Sequence, residues 1–305
     1  MKTDFEIYDE EWLAVVAETL NWSAKTRETN ASILRRLHGY NALDRPVLDA
    51  SEQALLDLVR KVENPNTRVC AIAVLTGMRN CAERPVSLLG KHRRKLIRED
   101  IPKLRRTTNL AHEPRTYDQL WAEITHAGTN DSQKAIVLCM IAALGCRIED
   151  LNAVVTSDKA VAEAEEGNVV LIRTKDVMVY RRRYKTAAVY GPRTDKIDGA
   201  LGKILRKALV AGKFEGGRLI RQARGGDTPL NQLSMRVRTV MGGLSARMLF
   251  KDWVNAHRLR GDFQRLKDFS ETRGTALTTL LTSYDLSVVP IGVPIGESDP
   301  EASNP

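Results

Sequence analysis

An arginine stands just past the end of an almost wholly apolar run. Residues 140–154 read MIAALGCRIEDLNAV, with Arg147 following Gly145 and Cys146. A guanidinium in apolar surroundings needs a carboxylate or a phosphate as partner. Glu149 or Asp150 could supply a local ion pair; otherwise Arg147 is free to take an outside anion. A second group is His257 and Arg260 in AHRLRG, three residues apart and so on one helical face. Together they could supply a proton-transfer group and a phosphate clamp. The same pattern fits a cationic helix end closed by Gly261. A third is Tyr284, which ends the small, Thr-rich segment GTALTTLLTSY of residues 274–284. A phenol activated by cationic neighbours is a nucleophile; a lone tyrosine is ordinarily packing. The fourth is a basic stretch holding Arg173, Lys175, Arg181, Arg182, Arg183 and Lys185. Strand alternation sends Arg181 and Arg183 to one face and Arg182 to the other. Such a face meets either solvent or phosphate.

The elements that must position these groups are mostly helices. Residues 12–20 form a short amphipathic helix. Ser23 caps a longer one, with Ile33, Leu34 and Leu37 on one face and Lys25, Arg27, Arg35 and Arg36 on the other. Residues 50–62 and 67–78 give two more, the latter apolar enough to be the centre of a bundle. Residues 91–104 form a fifth, densely basic at Lys91, Arg93, Arg94, Lys95 and Arg98. Residues 106–115 are polar, aperiodic and broken by Pro114, as a linker is. Thr116 and Gln119 then make a capping box, and an apolar helix covers residues 132–144. Residues 169–172, 177–180 and 187–190 are rich in β-branched and aromatic side chains and read as a small antiparallel sheet. Helical patterns return at 195–210, 230–241, 246–259, 263–269 and 275–284. The remaining residues, 286–305, form a Pro- and Gly-containing tail.

Composition narrows the classes. The chain has 305 residues, with 47 Lys and Arg against 38 Asp and Glu, a formal charge of +9. The tail carries only acids, so the body before it holds about +12, which suits a polyanion such as nucleic acid. No run of 18 apolar residues spans a membrane. The acidic start lacks a signal core, which points to the cytoplasm. Cys70, Cys81, Cys139 and Cys146 form no CxxC pair and read as buried, reduced thiols. The five histidines have no metal-ligand spacing. The glycine pairs lack the context of a nucleotide loop.

Taken in order, these pieces resemble the tyrosine recombinase, or phage integrase, family over most of the chain. Residues 20–37, LNWSAKTRETNASILRRL, look like the first helix of its core-binding domain. LGCRIEDL, residues 144–151, looks like its first-arginine motif. Residues 274–284 look like its closing motif, with Thr275 where the family usually has His or Trp. The family's His-x-x-Arg motif fits less simply. His257 lies only 17 residues before Gly274, so keeping His257 and Arg260 requires a deletion. Without a gap, Leu249 and Asp252 fall on those positions.

The resemblance implies a mostly α fold with a small antiparallel sheet, a two-domain clamp on DNA. Residues 1–105 would be the helical core-binding domain and 116–285 the catalytic domain. It implies a site-specific DNA recombinase acting through a phosphotyrosine intermediate. Tyr284 would be the nucleophile, Arg147 and Arg260 the phosphate clamps, His257 a proton-transfer group, and Lys175 or Lys185 the acid for the leaving oxygen. DNA contacts would come from Arg35, Arg36, Lys91, Arg93, Arg94, Lys95, Arg98, Arg181 and Arg183. No metal, cofactor or small molecule is implied. The partners would be double-stranded DNA and other copies of the chain, as a tetramer, in the cytoplasm and nucleoid-associated on DNA. The alternative is a catalytically degenerate DNA-binding protein of the same fold. A helical RNA-binding or scaffolding protein is the remaining reading of the charge.

Overall fold

The computed structural model describes residues 3–40, 45–104, 112–184 and 187–284. The chain divides into two compact units, Met1–His112 and Glu113–Pro305. The tail read at 286–305 and most of the linker read at 106–115 lie outside the described residues.

The first unit is a bundle of helices: α1 (Asp4–Thr19), α2 (Ala24–His38), α3 (Glu52–Arg60), α4 (Pro65–Cys81) and α5 (Ser87–Lys95). α1 starts well before residue 12 because Thr3 and Glu6 form a capping box. Ser23 caps α2 by accepting from the Thr26 N–H. Asn64 caps α4, which supplies Ile72, Val74, Leu75 and Met78 to the core. α5 runs on into a π-helical turn, Leu96–Asp100. Buried Asp9 ties the entry to α3, accepting from the Val47 N–H with both oxygens at 3.0 Å while His38 Nε2 lies 3.1 Å away.

The second unit is built on the helix Ser132–Leu144, in which every residue from Ala135 to Leu144 except Ala143 is buried. Beside it lie Tyr117–Asn130, opened by the Thr116–Gln119 capping box, and Gly199–Ala211. Four strands follow, β1 (Ala153–Thr156), β2 (Asn168–Ile172), β3 (Val177–Arg181) and β4 (Arg193–Ile197), in the order β1-β2-β3-β4. The sheet is mixed, which corrects the antiparallel expectation. β2–β3 and β3–β4 are antiparallel, but β1 is parallel to β2. The helix Lys159–Ala164 makes the crossover that parallel pairing demands.

Residues 187–190 are a short helix, not a strand. Val189 and Tyr190 are exposed, so their β-forming side chains have no sheet face to cover. The Tyr184 hydroxyl donates to the Gly191 carbonyl at 2.7 Å and closes this turn. The fourth strand is the polar RTDKI that follows, so the next helix begins at Gly199 and not at 195. Sheet pairing and an internal ion pair hold β4, and neither leaves an apolar pattern. The described residues end with three helices, Ala246–Leu259, Phe263–Arg273 and Leu277–Tyr284.

Candidate active site and nucleic-acid interface

Two glycines set the site. Gly145 ends the central helix in the left-handed region at φ 58°, its N–H donating to Ile141 O at 2.8 Å. A Cβ there would sit 2.6 Å from Phe250 Cε2 and 3.3 Å from Arg273 Cδ, so only glycine fits. The chain then turns through the 3₁₀ segment Glu149–Leu151, where Asp150 accepts the Arg147 N–H at 2.8 Å. Gly274, at φ 56°, ends the helix Phe263–Arg273 in a Schellman arrangement. Its N–H donates to Glu271 O and the Thr275 N–H donates to Ser270 O at 2.9 Å. That turn aims Thr275 at Arg147, whose Nη2 donates to Thr275 Oγ1 at 3.0 Å.

The Arg147 side chain therefore pairs with neither Glu149 nor Asp150. Its other terminal nitrogen, Nη1, is buried with no hydrogen-bond partner. Tyr284 lies on the same side of the core. Its ring packs edge-on against Phe250, centroids 5.0 Å apart, and its hydroxyl accepts from Arg273 Nη2 at 3.1 Å. Arg273 is buried, its guanidinium 4.1 Å above the Phe250 ring, and its Nη1 donates to the Gly145 carbonyl. Burial lowers the Arg273 pKa; Arg147 adds to that, while Tyr284 and Asp150 oppose it. Arg247, exposed in the first turn of its helix, stands 5.8 Å from the Tyr284 ring centre. Sequence reasoning missed Arg273 and Arg247. The only signal for Arg273 was its place next to Gly274.

Arg181 is corrected from a DNA contact to a core residue. It is fully buried, with Nη2 2.7 Å from the Asp195 carboxylate and donating to Thr272 O at 2.9 Å, and Nη1 3.8 Å from Asp150. Burial pushes the Asp150 carboxyl above its usual range, against the pull of the Arg147 N–H and of Arg181. Arg181 thus ties β3, β4 and the end of the helix Phe263–Arg273 to the turn that carries Arg147.

His257 and Arg260 share a helix end but are not among the groups touching Arg147, Arg273 or Tyr284. His257 is buried in an aromatic cluster, stacked on Trp253 and edge-on to Tyr117 and Phe269. Its Nδ1 donates to Asp262 at 2.9 Å, and burial, together with Arg265 and Arg260, lowers its pKa against the pull of Asp262. Arg260 is exposed, 4.1 Å above the Tyr117 ring. The ungapped positions are also filled. Leu249 is core, and Asp252, fully buried, accepts from Arg115 Nε at 2.8 Å and Nη2 at 2.6 Å. Arg115 also reaches Glu123, which pairs with Lys134 at 2.8 Å.

Lys175 is exposed in the β2–β3 turn, and Lys185 lies outside the described residues. Arg183 makes an exposed pair with Glu166 at 3.0 Å, a contact worth little by itself. In the first unit Arg35, Arg36, Lys91, Arg93, Arg94, Lys95 and Arg98 are all exposed. Lys91, Arg94, Lys95 and Arg98, with Arg60 of α3, line a pocket of about 530 Å³. His92 in it is held below its usual pKa by burial and then by Arg60, Arg68 and Lys95, which outweigh Asp100. Of the cysteines, Cys139 and Cys146 are buried, the first pushed up to about 12 by burial, but Cys70 is exposed, against the expectation of buried thiols. Among the described residues no His, Cys, Asp and Glu group could hold a metal ion, and no helix is long and apolar enough to cross a membrane.

No family model and no curated protein matches the sequence. Solved structures do match its fold. A lambda integrase tetramer bound to a Holliday junction has a TM-score of 0.53 at 14% identity, over 90% of this chain and 76% of that one. A lambda integrase dimer bound to a COC' core site gives 0.52 at 14% identity, with the same coverage. The chain has the tyrosine recombinase fold.

Proposed function

We propose that the protein is a site-specific DNA recombinase that cleaves strands through Tyr284. The supporting observation is the meeting of the first-arginine turn with the closing segment. Arg147 donates to Thr275 and keeps a buried N–H with no protein acceptor, beside the helix that carries Tyr284. A buried guanidinium N–H without a partner is costly unless an anion takes it, and a DNA phosphate is an anion of the right kind. In the reaction Tyr284 loses its proton to water and its oxygen bonds to phosphorus, the bond from phosphorus to the 5′ oxygen breaks, and that oxygen takes a proton from Lys175 or Lys185. The phosphotyrosine ester keeps the bond energy for rejoining. Arg147 stabilises the charge that develops on the non-bridging oxygens.

Residues 1–105 act as the core-binding domain and 116–285 as the catalytic domain. The basic face of α5 and Arg35 and Arg36 of α2 hold duplex DNA, with several protomers assembling on it, as the DNA-bound lambda integrase dimer and tetramer do. The test is covalent trapping on nicked duplexes. Wild-type protein is expected to give a denaturant-resistant adduct mapping to Tyr284 that Tyr284→Phe abolishes. Absence of any such adduct refutes strand cleavage.

A second reading has its own support. Asp252 occupies the ungapped second-arginine position as a buried acid, and His257 and Arg260 point into other surroundings. These favour a DNA-binding protein that has lost the chemistry. It predicts salt-sensitive duplex binding, unchanged by Tyr284→Phe, with no adduct.

A further inference from the structure

A single guanidinium, Arg147, leaves part of the charge that develops on a transferred phosphoryl group without a donor, and neither position that the sequence offered supplies a second cation there. Arg260 faces Tyr117 at the surface. Asp252 is a carboxylate locked onto Arg115, and a carboxylate in that place would repel phosphate. Arg247 of the same helix stands over the Tyr284 ring, but the guanidinium that hydrogen-bonds the nucleophilic oxygen comes from another helix. Arg273 Nη2 lies 3.1 Å from the Tyr284 oxygen. Packing on Phe250 and the Gly145 carbonyl fixes its direction. The Schellman turn at Gly274 gives Arg273 and Thr275 a common anchor, so the groups contacting Tyr284 and Arg147 move as one piece.

We infer that Arg273 is the second guanidinium of the active site, a catalytic residue in the role that neither Arg260 nor position 252 fills. This rests on the strand-cleavage reading. The Tyr284 proton leaves to water and Arg273 holds the phenolate oxygen. As that oxygen bonds to phosphorus and the 5′ oxygen departs with a proton from Lys175 or Lys185, the Arg273 N–H lies against the charge growing on the phosphoryl group. Arg147 opposes it from the Thr275 side. The two guanidinium groups are near enough for Arg147 to depress the Arg273 pKa, a repulsion that a bound phosphate relieves.

The test uses the full chain and a library of randomised nicked duplexes, from which the trapped phosphate is mapped. That duplex is then remade with a neutral methylphosphonate at the mapped position. Arg273→Ala and Arg273→Lys are expected to lower adduct yield on the phosphate by about 10²–10³-fold. The methylphosphonate, which lacks one negative charge, is expected to restore most of the yield to Arg273→Ala. Circular dichroism separates folded variants from unfolded ones, and Arg273→Lys, which keeps a charge and most of the reach, serves where the alanine variant fails to fold. Equal loss on both substrates by a folded variant overturns the inference, because a merely structural arginine is blind to phosphate charge. Wild-type yield from Arg273→Lys, with loss in Arg260→Ala, overturns it too and returns the role to Arg260. No wild-type adduct at all refutes the strand-cleavage reading itself, and the inference falls with it.

Discussion

Replacing Gly145 by alanine probes the geometry of the site at its tightest point. Two costs arise there. Alanine at φ 58° carries the left-handed penalty of about 1–2 kcal/mol. Its Cβ would also lie 2.6 Å and 3.1 Å from two atoms of the Phe250 ring and 3.3 Å from Arg273 Cδ. Both neighbours are buried and packed, so relief requires moving the ring that supports Tyr284, at about 1–3 kcal/mol for overpacking. The sum is about 2–5 kcal/mol, or a fall in Tm of roughly 4–20 °C for a unit of this size. Gly242→Ala is the control. Its φ is 63° but nothing lies within 4 Å of its Cβ, so only the backbone penalty applies. Urea unfolding of both variants reads the difference as a shift in midpoint at constant slope. If Gly145→Ala is no more destabilising than Gly242→Ala, the packing of Gly145 against Phe250 and Arg273 is not as described. The same variant is expected to lose Tyr284-dependent adduct even where it remains folded.

Three further substitutions probe the core, a buried histidine and the basic face. Asp252→Ala leaves Arg115 beside an empty core position and is expected to destabilise the second unit by about 3–5 kcal/mol, whereas the double variant Arg115→Met, Asp252→Leu recovers most of that in thermal melts. His257 is held neutral, its folded pKa below the ordinary value of about 6.5. The unfolded chain therefore binds the proton first, so stability is full above about pH 6.5 and falls as pH drops toward the lowered folded value; melts from pH 7.5 to 5 should show a smaller decline in His257→Gln. Removing Lys91, Arg94 and Arg98 together is expected to weaken duplex binding and to flatten the slope of log K against log salt by about 0.9 for each phosphate no longer neutralised. An unchanged slope would show that α5 and its π-helical extension do not touch the backbone of DNA.

Local signals were strong enough to write the helices into the sequence. Ser23 and the Thr116–Gln119 box mark helix starts because a cap is an interaction between near neighbours. The central helix ends where Gly145 allows a left-handed turn. The order of these elements, with LGCRIEDL and GTALTTLLTSY at its two ends, carried the likeness to recombinases that the fold then bore out. β4 was hidden because its residues are polar and its support, the Asp195–Arg181 pair, lies across the sheet. Arg181 looked like surface charge for the same reason. Nothing in RRR distinguishes a side chain that meets water from one that is buried against the carboxylates of Asp150 and Asp195. Likewise the spacing of His257 and Arg260 was right for a shared face, but that face turned out to belong to the aromatic cluster around Trp253. Arg273 could become the partner of Tyr284 only once Gly145, Phe250 and two helix ends were brought together. Sequence determines what is decided within a few residues: caps, turns and periodicity. The company a charged group keeps is decided by separate elements, 11 to 128 residues apart here, and only packing in three dimensions brings them together.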